Sequence, residues 1–234
     1  MKKYSKAYRS KVEKIEKDKI YSLDEACKLA VETSPVKFDA SVEIHVNTGT
    51  DPRHADQIVR STVVLPNGTG KSVRIAVFCD DAKAAEAKKA GADKIGAEDL
   101  IESVLKGELD FDIAIAQPSM MKDLAKVARV LGPKGLMPSP KSGTVTDDIA
   151  KAIEEIKKGK LEYRNDKAGI VHTILGKVSF GQAKITENAK AFIVSLIEAK
   201  PQGTKGTYVK KITMTTSMGP SIQVDVQDAL NSGL

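Results

Sequence analysis

The stretch Phe111–Val145, FDIAIAQPSMMKDLAKVARVLGPKGLMPSPKSGTV, decides the fold. It opens on an apolar run, Phe111–Ala116, of the kind buried on both faces of a parallel sheet. Met121, Leu124, Ala125, Ala128 and Leu131 then recur at helical spacing. A long turn, Gly132–Gly143, follows, punctuated by Gly and Pro. Upstream the same rhythm holds. Val73–Cys79 reads as a strand, Ala82–Ala90 as a helix stopped by Gly91, Lys94-Ile95 as a short strand, and Asp99–Lys106 as a helix. Downstream, Asp147–Lys158 predicts a helix with Ile149, Ala152, Ile153 and Ile156 on one face, ended by Gly159. Strands alternating with helices define a doubly wound α/β unit.

The flanks read differently. Ser22-Leu23-Asp24-Glu25 has the form of a capping box, and its helix must end before Pro35. Ser41–Asn47 alternates strictly. Val42, Ile44 and Val46 point to a core, while Ser41, Glu43, His45 and Asn47 share an open face. Asp51-Pro52 predicts the start of a second helix, and Ser61–Leu65 a short strand. Past residue 159, Glu162–Leu175 and Lys177–Phe180 read as strands, and Thr186–Lys200 as a helix stopped by Pro201. Tyr208–Thr216 and Ser221–Val226 read as strands around Ser217–Pro220. The N-terminal flank has too few strands to close a sheet, and the C-terminal flank has more sheet than its one helix covers. The two ends are therefore expected to form one discontinuous α+β domain, residues 1–67 with 159–234, carrying residues 68–158 as an inserted α/β domain. Gly68, Gly70 and Gly159 lie at the crossings and are the expected hinge.

Charge supports the same division. The chain has 37 Lys/Arg and 31 Asp/Glu, a net charge of +6. Residues 69–158 hold 15 of each, so the whole excess belongs to the ends. Residues 1–19 alone hold eight basic and three acidic side chains, which suits a solvated helix or an arm on phosphates. A basic body suits an anionic partner. Aromatic residues are only 4% and Trp is absent, which argues against reading single strands by stacking. Hydrophobic content, 41%, is ordinary for a globular chain, and no apolar run reaches the length of a membrane span. Cys27 and Cys79 lie far apart in apolar patterns and read as reduced core residues of a cytoplasmic protein.

Catalytic patterns are missing from the sequence. His45, His54 and His172 have no metal-ligand spacing, and no H-E-x-x-H, C-x-x-C or G-x-S-x-G occurs. Gly70-Lys71-Ser72 matches the tail of a phosphate-binding loop, but Leu65 stands where the pattern needs Gly, and the segment leads into a strand. Asp80-Asp81 could hold Mg²⁺, although two acids opening a helix fit a cap better. Gly132-Pro-Lys-Gly135 could cradle a phosphate, but its Pro removes one N–H donor. An enzyme reading, such as a nucleotide or phosphate-ester hydrolase, would rest on Asp80 and Asp81 at the strand ends. No enzyme activity, cofactor or metal is expected.

With these motifs in view, the chain resembles the bacterial type of the "L-one" family, the universal large-subunit stalk proteins of the ribosome. The resemblance rests on SKAYR (5–9), KFDASVEIHVNTGTDPRHADQIVR (37–60), LPNGTGK (65–71), the run from Asp110 to Val145, LEYRNDKAGIVH (161–172), GKVSF (176–180) and TTSMGPSIQVD (215–225). It implies a discontinuous α+β RNA-binding domain with an inserted, Rossmann-like three-layer α/β domain that lacks nucleotide chemistry. It further implies binding to the rRNA of the mobile side stalk near the tRNA exit site, help in releasing deacylated exit-site tRNA, and repression of translation through the protein's own operon mRNA. The protein would be cytoplasmic, ribosome-associated, not bound to a membrane, and a monomer when free of the ribosome.

The family's RNA-contacting strip maps onto Lys37, Phe38, Ser41, Glu43, Asn165, Asp166, Lys167, His172, Lys177, Ser179, Thr215, Thr216, Ser217, Met218 and Gly219. Short hydroxyls, a carboxylate and backbone amides suit 2′-OH groups, and the three lysines suit phosphates. Glycine at 219 lets a backbone approach closely. By its own pattern Phe38 reads as core, RNA contact being favoured only through the resemblance, and His172 reads equally as a satisfied strand histidine. Ser41 and Ser217 stand where the family commonly has Thr, and Ser139 where it commonly has Asn; the first two keep the hydroxyl.

Overall fold

The computed structural model describes residues 5–16, 19–107 and 109–232, with the side chains of Asp81, Ala82 and Glu98 left undescribed. The chain divides into two compact units, Met1–Gly70 with Gly159–Leu234, and Lys71–Lys158. Gly68–Gly70 thus group with the chain ends.

The first unit begins with α1 (Lys6–Val12), capped by the Ser5 hydroxyl, which accepts from the Tyr8 N–H. The rest of the basic 1–19 segment lies partly outside the described residues. Next comes α2 (Leu23–Glu32). Its N-cap, Ser22, accepts from the Glu25 N–H, and Leu23, Ala26, Cys27 and Ala30 are buried. Strand β1 (Ser41–Thr48) alternates between half-buried and buried residues throughout, with Val42, Ile44 and Val46 inward.

No α-helix starts at Asp51-Pro52. The Asp51 carboxylate accepts from the Arg53 N–H, and Gln57 Oε1 accepts from the Asp51 N–H. These side chains satisfy the donors in a turn, leaving only a short 3₁₀ segment at Ala55–Gln57. Strand β2 (Arg60–Val64) completes the N-terminal part.

The second unit holds β3 (Ile75–Phe78), α3 (Asp81–Ala90), β4 (Lys94–Gly96), α4 (Glu98–Leu105) and β5 (Ile113–Ala116). These strands form a parallel sheet in the order β4-β3-β5. Gly91 closes α3 in the left-handed conformation. The segment after β5 is not one continuous helix. A 3₁₀ turn at Pro118–Met120 precedes α5 (Met121–Leu124), and a second at Ala125–Val127 separates it from α6 (Ala128–Leu131). The tighter turn shifts the inward register, so Val127 is buried and Ala125 exposed. Helix α7 (Ile149–Lys157) buries Ile149, Ala152, Ile153 and Ile156.

Because strand side chains alternate, the sheet serves two cores. Ala76, Phe78, Ala114 and Ala116 pack with Leu100 and Val104 of α4, Leu124 of α5, Leu131 of α6 and Val127 of the 3₁₀ turn between them. Ile75, Val77 and Ile115 pack with Ala87 of α3 and with the buried residues of α7. The result is three layers, helices on both faces of a parallel sheet. The glycine turn spends its amides internally. Gly135 N–H donates to Gly132 O and Leu136 N–H to Leu131 O, so these two donors do not point outward at a phosphate. At the strand ends, Asp80 N–H donates to Gln117 Oε1. The Asp81 carboxyl, the other half of the candidate Mg²⁺ pair, lies outside the described atoms. Among the described residues, no group of three or more His, Cys, Asp or Glu could hold a metal ion.

The chain then returns to the first unit. The predicted strand Glu162–Leu175 is two strands in different sheets: β6 (Lys160–Arg164), which pairs with β2, and β7 (Ile170–Lys177), which pairs with β1. The Asp166 carboxylate accepts from the Ala168 and Ile170 N–H groups, and Gly169 takes a φ of 77°. That turn breaks the run. Lys177–Phe180 is likewise no strand. Beyond Lys177 the chain tightens into a 3₁₀ turn, Val178–Phe180, because the Ser179 N–H is taken by Asp39 Oδ1.

Helix α8 (Gly181–Glu198) buries Ile185, Ala189, Phe192, Ile193 and Leu196. Strands β8 (Val209–Thr216) and β9 (Ile222–Val224) follow. The chain past Val224 does not continue as a strand. The Asp225 carboxylate caps a further helix, α9 (Val226–Asn231), by accepting from the Gln227 N–H. The C-terminal part therefore supplies two helices rather than one. The main sheet runs β7-β1-β8-β9, all antiparallel. Its inner face joins α2, α8 and α9 in one core with Ile44, Phe192, Met214 and Ala229. Its outer face carries the candidate site.

Candidate nucleic-acid interface

The outer face is built from the positions that β1 turns away from the core. Strand register sets its rows. Ser41 lies opposite Lys177; Glu43 lies between Ile174 and Thr215; His45 lies between His172 and Thr213; Asn47 lies between Ile170 and Lys211. Thr213 in turn faces Gln223 of β9. Lys177 reaches this face only through a bulge. Register shifts between Val42 and Glu43, which pair with Gly176 and Ile174, so Leu175 turns inward and Lys177 outward.

Polar side chains cross-link the rows. Lys177 Nζ donates to Ser41 Oγ at 3.0 Å. Ser41 N–H donates to Ser217 Oγ at 3.2 Å, and Ser217 N–H to Ser41 O at 3.0 Å. Asp39 accepts from Ser179 N–H at 3.0 Å and from Ser179 Oγ at 2.7 Å. Those hydrogen bonds from Ser179, aided by the Lys177 charge, hold the Asp39 carboxyl below the usual carboxylate range. The Asp166 carboxyl is lowered for the same kind of reason, the Ile170 N–H leading and the Ala168 N–H and His172 adding to it.

At the centre, His45 Nδ1 and His172 Nδ1 are 2.9 Å apart. His172 Nε2 lies 3.4 Å from Asp166 Oδ2, and His45 Nε2 lies 3.9 Å from Glu43 Oε2. Burial, with the neighbouring His172, pushes the His45 pKa below its ordinary value, and Glu43 opposes this.

Two apolar side chains stand out at the Ser41 end. Phe38 is 62% exposed and Met218 76%. Neither joins the core, which settles the core alternative for Phe38. Met218 holds a φ of 64°, a conformation rarely tolerated outside glycine. The next residue has no room for a side chain, since a Cβ on Gly219 would sit 2.1 Å from Thr216 Oγ1. Thr215 Oγ1 donates within this loop, toward the carbonyls of Thr216 and Gly219.

The fold thus gathers Lys37, Phe38, Ser41, Glu43, Asp166, Lys167, His172, Lys177, Ser179, Thr215, Ser217, Met218 and Gly219 around one sheet face and its bordering loops, with partial or full exposure. Two predicted residues turn away. Asn165 is 5% exposed; its Oδ1 accepts from Val59 N–H while Nδ2 donates to Thr50 Oγ1. Thr216 is 3% exposed on the inner side of β8. Both frame the face rather than present their side chains on it. Conversely, His45, Asn47, Lys211, Thr213 and Gln223 share the face without having been singled out as site residues. Parity along β1 already put His45 and Asn47 outward; the register of β8 and β9 adds the others. Beyond Thr213 and Gln223 the face meets α1 in a groove of ≈ 250 Å³, lined also by Tyr8, Val12 and Lys19.

Cations, hydroxyls and amides spread over one sheet face have the chemistry of a binding surface. Comparison with known proteins gives the family of the chain. Residues 30–220 match the model of the ribosomal protein L1p/L10e family. The chain is similar to the large ribosomal subunit protein uL1 of Corynebacterium glutamicum (strain R), 51% identical over 231 residues that cover 99% of this chain and 98% of the relative. It is 55% identical to that of Rhodococcus erythropolis over 225 residues, covering 96% and 94%, and 54% identical to that of Nocardia farcinica, covering 96% and 95%. The chain belongs to the ribosomal protein L1p/L10e family, which is structural and not enzymatic.

Proposed function

We propose that this chain is a structural constituent of the large ribosomal subunit that binds rRNA through the outer face of the β7-β1-β8-β9 sheet. The observation that carries the reading is the face itself. Ser41, Glu43, Thr215 and Ser217 form a polar strip between the cations Lys37, Lys167 and Lys177, with two exposed apolar side chains at one end. Such a strip suits an RNA surface read through 2′-OH groups and phosphates. Within this reading the RNA is the mobile side stalk near the tRNA exit site, and the protein assists release of deacylated tRNA and represses its own operon mRNA by the same face. It acts in the cytoplasm, on the ribosome, and is a monomer when free of it. Family membership supports the placement in the large ribosomal subunit.

The two chain crossings are the proposed hinge. Gly68, Gly70 and Gly159 take φ values of 67°, 70° and 103°. The Gly68 carbonyl accepts from Asn188 Nδ2, and a Cβ on Gly70 would lie 2.9 Å from Phe180.

The test measures binding of a stalk fragment of large-subunit rRNA across a salt series. The full chain and a fragment joining residues 1–67 to 159–234 should bind comparably and weaken steeply with salt. The reading fails if residues 68–158 alone bind better than that fragment. Competition by the protein's own leader mRNA, and by deacylated tRNA, tests the finer roles.

A further inference from the structure

The strongest unexplained feature is the histidine pair at the centre of the face. Tautomers follow from its neighbours. A carboxylate only accepts, so the His172 nitrogen facing Asp166, at 3.4 Å, carries hydrogen. His172 Nδ1 is then the acceptor of the 2.9 Å contact, and His45 Nδ1 the donor. This leaves His45 Nε2 bare, 3.9 Å from the Glu43 carboxylate. Two acceptors face each other there, and one added proton converts them into an ion pair.

Among the described residues, three charged groups neighbour the pair in the strand register and the turn. Glu43 lies on the same strand, Asp166 on the turn before β7, and Lys211 diagonally across on β8; the directly opposed Thr213 is neutral. Beyond Thr213, Glu16 and Lys19 of the α1 side line the groove.

We infer that the His45–His172 pair is a proton-loaded phosphate contact, taking up one proton when an RNA backbone docks on this face. The inference rests on the RNA-binding reading and deepens it. In the free protein, burial and the partner ring keep His45 neutral near pH 7. A phosphate placed over the pair favours the charged form. Proton uptake then pairs His45 with Glu43, cancelling the carboxylate charge that would otherwise repel a phosphate in the middle of the strip. By linkage, affinity rises as pH falls, by up to about tenfold per pH unit.

Calorimetry of the full chain with the rRNA stalk fragment tests this, at pH 6.5 to 8 and fixed ionic strength, in two buffers of different ionisation enthalpy. The expected result is uptake of about one proton per complex. The double variant His45→Gln, His172→Gln, checked for folding by circular dichroism, should bind without uptake. Tight binding of the parent with no uptake would overturn this inference alone, as would equal uptake by the double variant. No binding at any pH would overturn the RNA reading, and this inference with it.

Discussion

Asn188 Oδ1 accepts the backbone N–H of Asn67 at 3.0 Å, tying α8 to the loop where the chain leaves its first unit. The same side chain donates to Gly68 O at 3.0 Å and to Leu175 O at 2.6 Å. Asn188 is fully buried, so three backbone groups depend on one amide. Replacing Asn188 with Ala should cost about 2–4 kcal/mol, since an orphaned buried polar group costs roughly 1–3 kcal/mol. Urea unfolding of the two proteins measures this. A loss well under 1 kcal/mol would mean that water replaces the amide.

Gly159 meets Gly68 at the other crossing. A Cβ there would lie 2.5 Å from Gly68 Cα, and the φ of 103° is itself costly for any other residue. Backbone cannot yield as a side-chain tip does. Gly159→Ala should therefore destabilise by about 2 kcal/mol or more, combining strain with overpacking. Thermal unfolding of the full chain would show it as a lowered Tm.

Met218 should behave in the opposite sense. Its left-handed backbone costs about 1 kcal/mol that glycine does not incur. Met218→Gly should be neutral or stabilising by up to about 1 kcal/mol, while weakening RNA binding through loss of an exposed apolar contact. Parallel denaturation and binding measurements decide it; a variant that loses stability and keeps full affinity contradicts the assigned role.

The thiol of Cys27 is pushed up to about 11, chiefly by burial. The folded state thus keeps its proton where the unfolded chain begins to lose it. The stability that this contributes is complete below the unfolded pKa of about 8.5 and is lost as pH rises toward 11. At pH 8, an aromatic disulfide reagent should label Cys27 only after unfolding, and Cys27→Ala should flatten the alkaline limb of the stability profile.

Asp39 titrates with the opposite sign. Its folded pKa is lowered by the two hydrogen bonds from Ser179. The stability it lends is present above the unfolded carboxylate value and is lost as pH falls through the folded one. Ser179→Ala should raise the Asp39 carboxyl pKa in an NMR titration. An unchanged value would show that the Lys177 charge, not the hydroxyl, sets it.

Much was legible along the chain because it depends on local chemistry. Ser22 caps its helix, β1 alternates, Ile149 to Ile156 share a face, and the charge excess gathers at the ends, all readable at short range. Readings failed where a side chain competed with regular structure. Asp51 and Gln57 hold a turn at a site that reads as a helix start, Asp166 splits one apparent strand into two, and Asp39 diverts the chain after Lys177. The first two act through side-chain hydrogen bonds within six residues that compete with the period, and only the Asp39–Ser179 pair spans a long separation.

The family and the outward parity of Ser41, Glu43 and His45 are legible in the chain alone, because motifs and alternation are local properties. Only the tertiary structure decided which side chains meet. The bulge at Gly176 brings Lys177 to Ser41, a cross-strand register joins His45 to His172 across 127 positions, and packing turns Asn165 and Thr216 inward. These are long-range pairings, set by how strands slide against one another, and no local pattern encodes that slide.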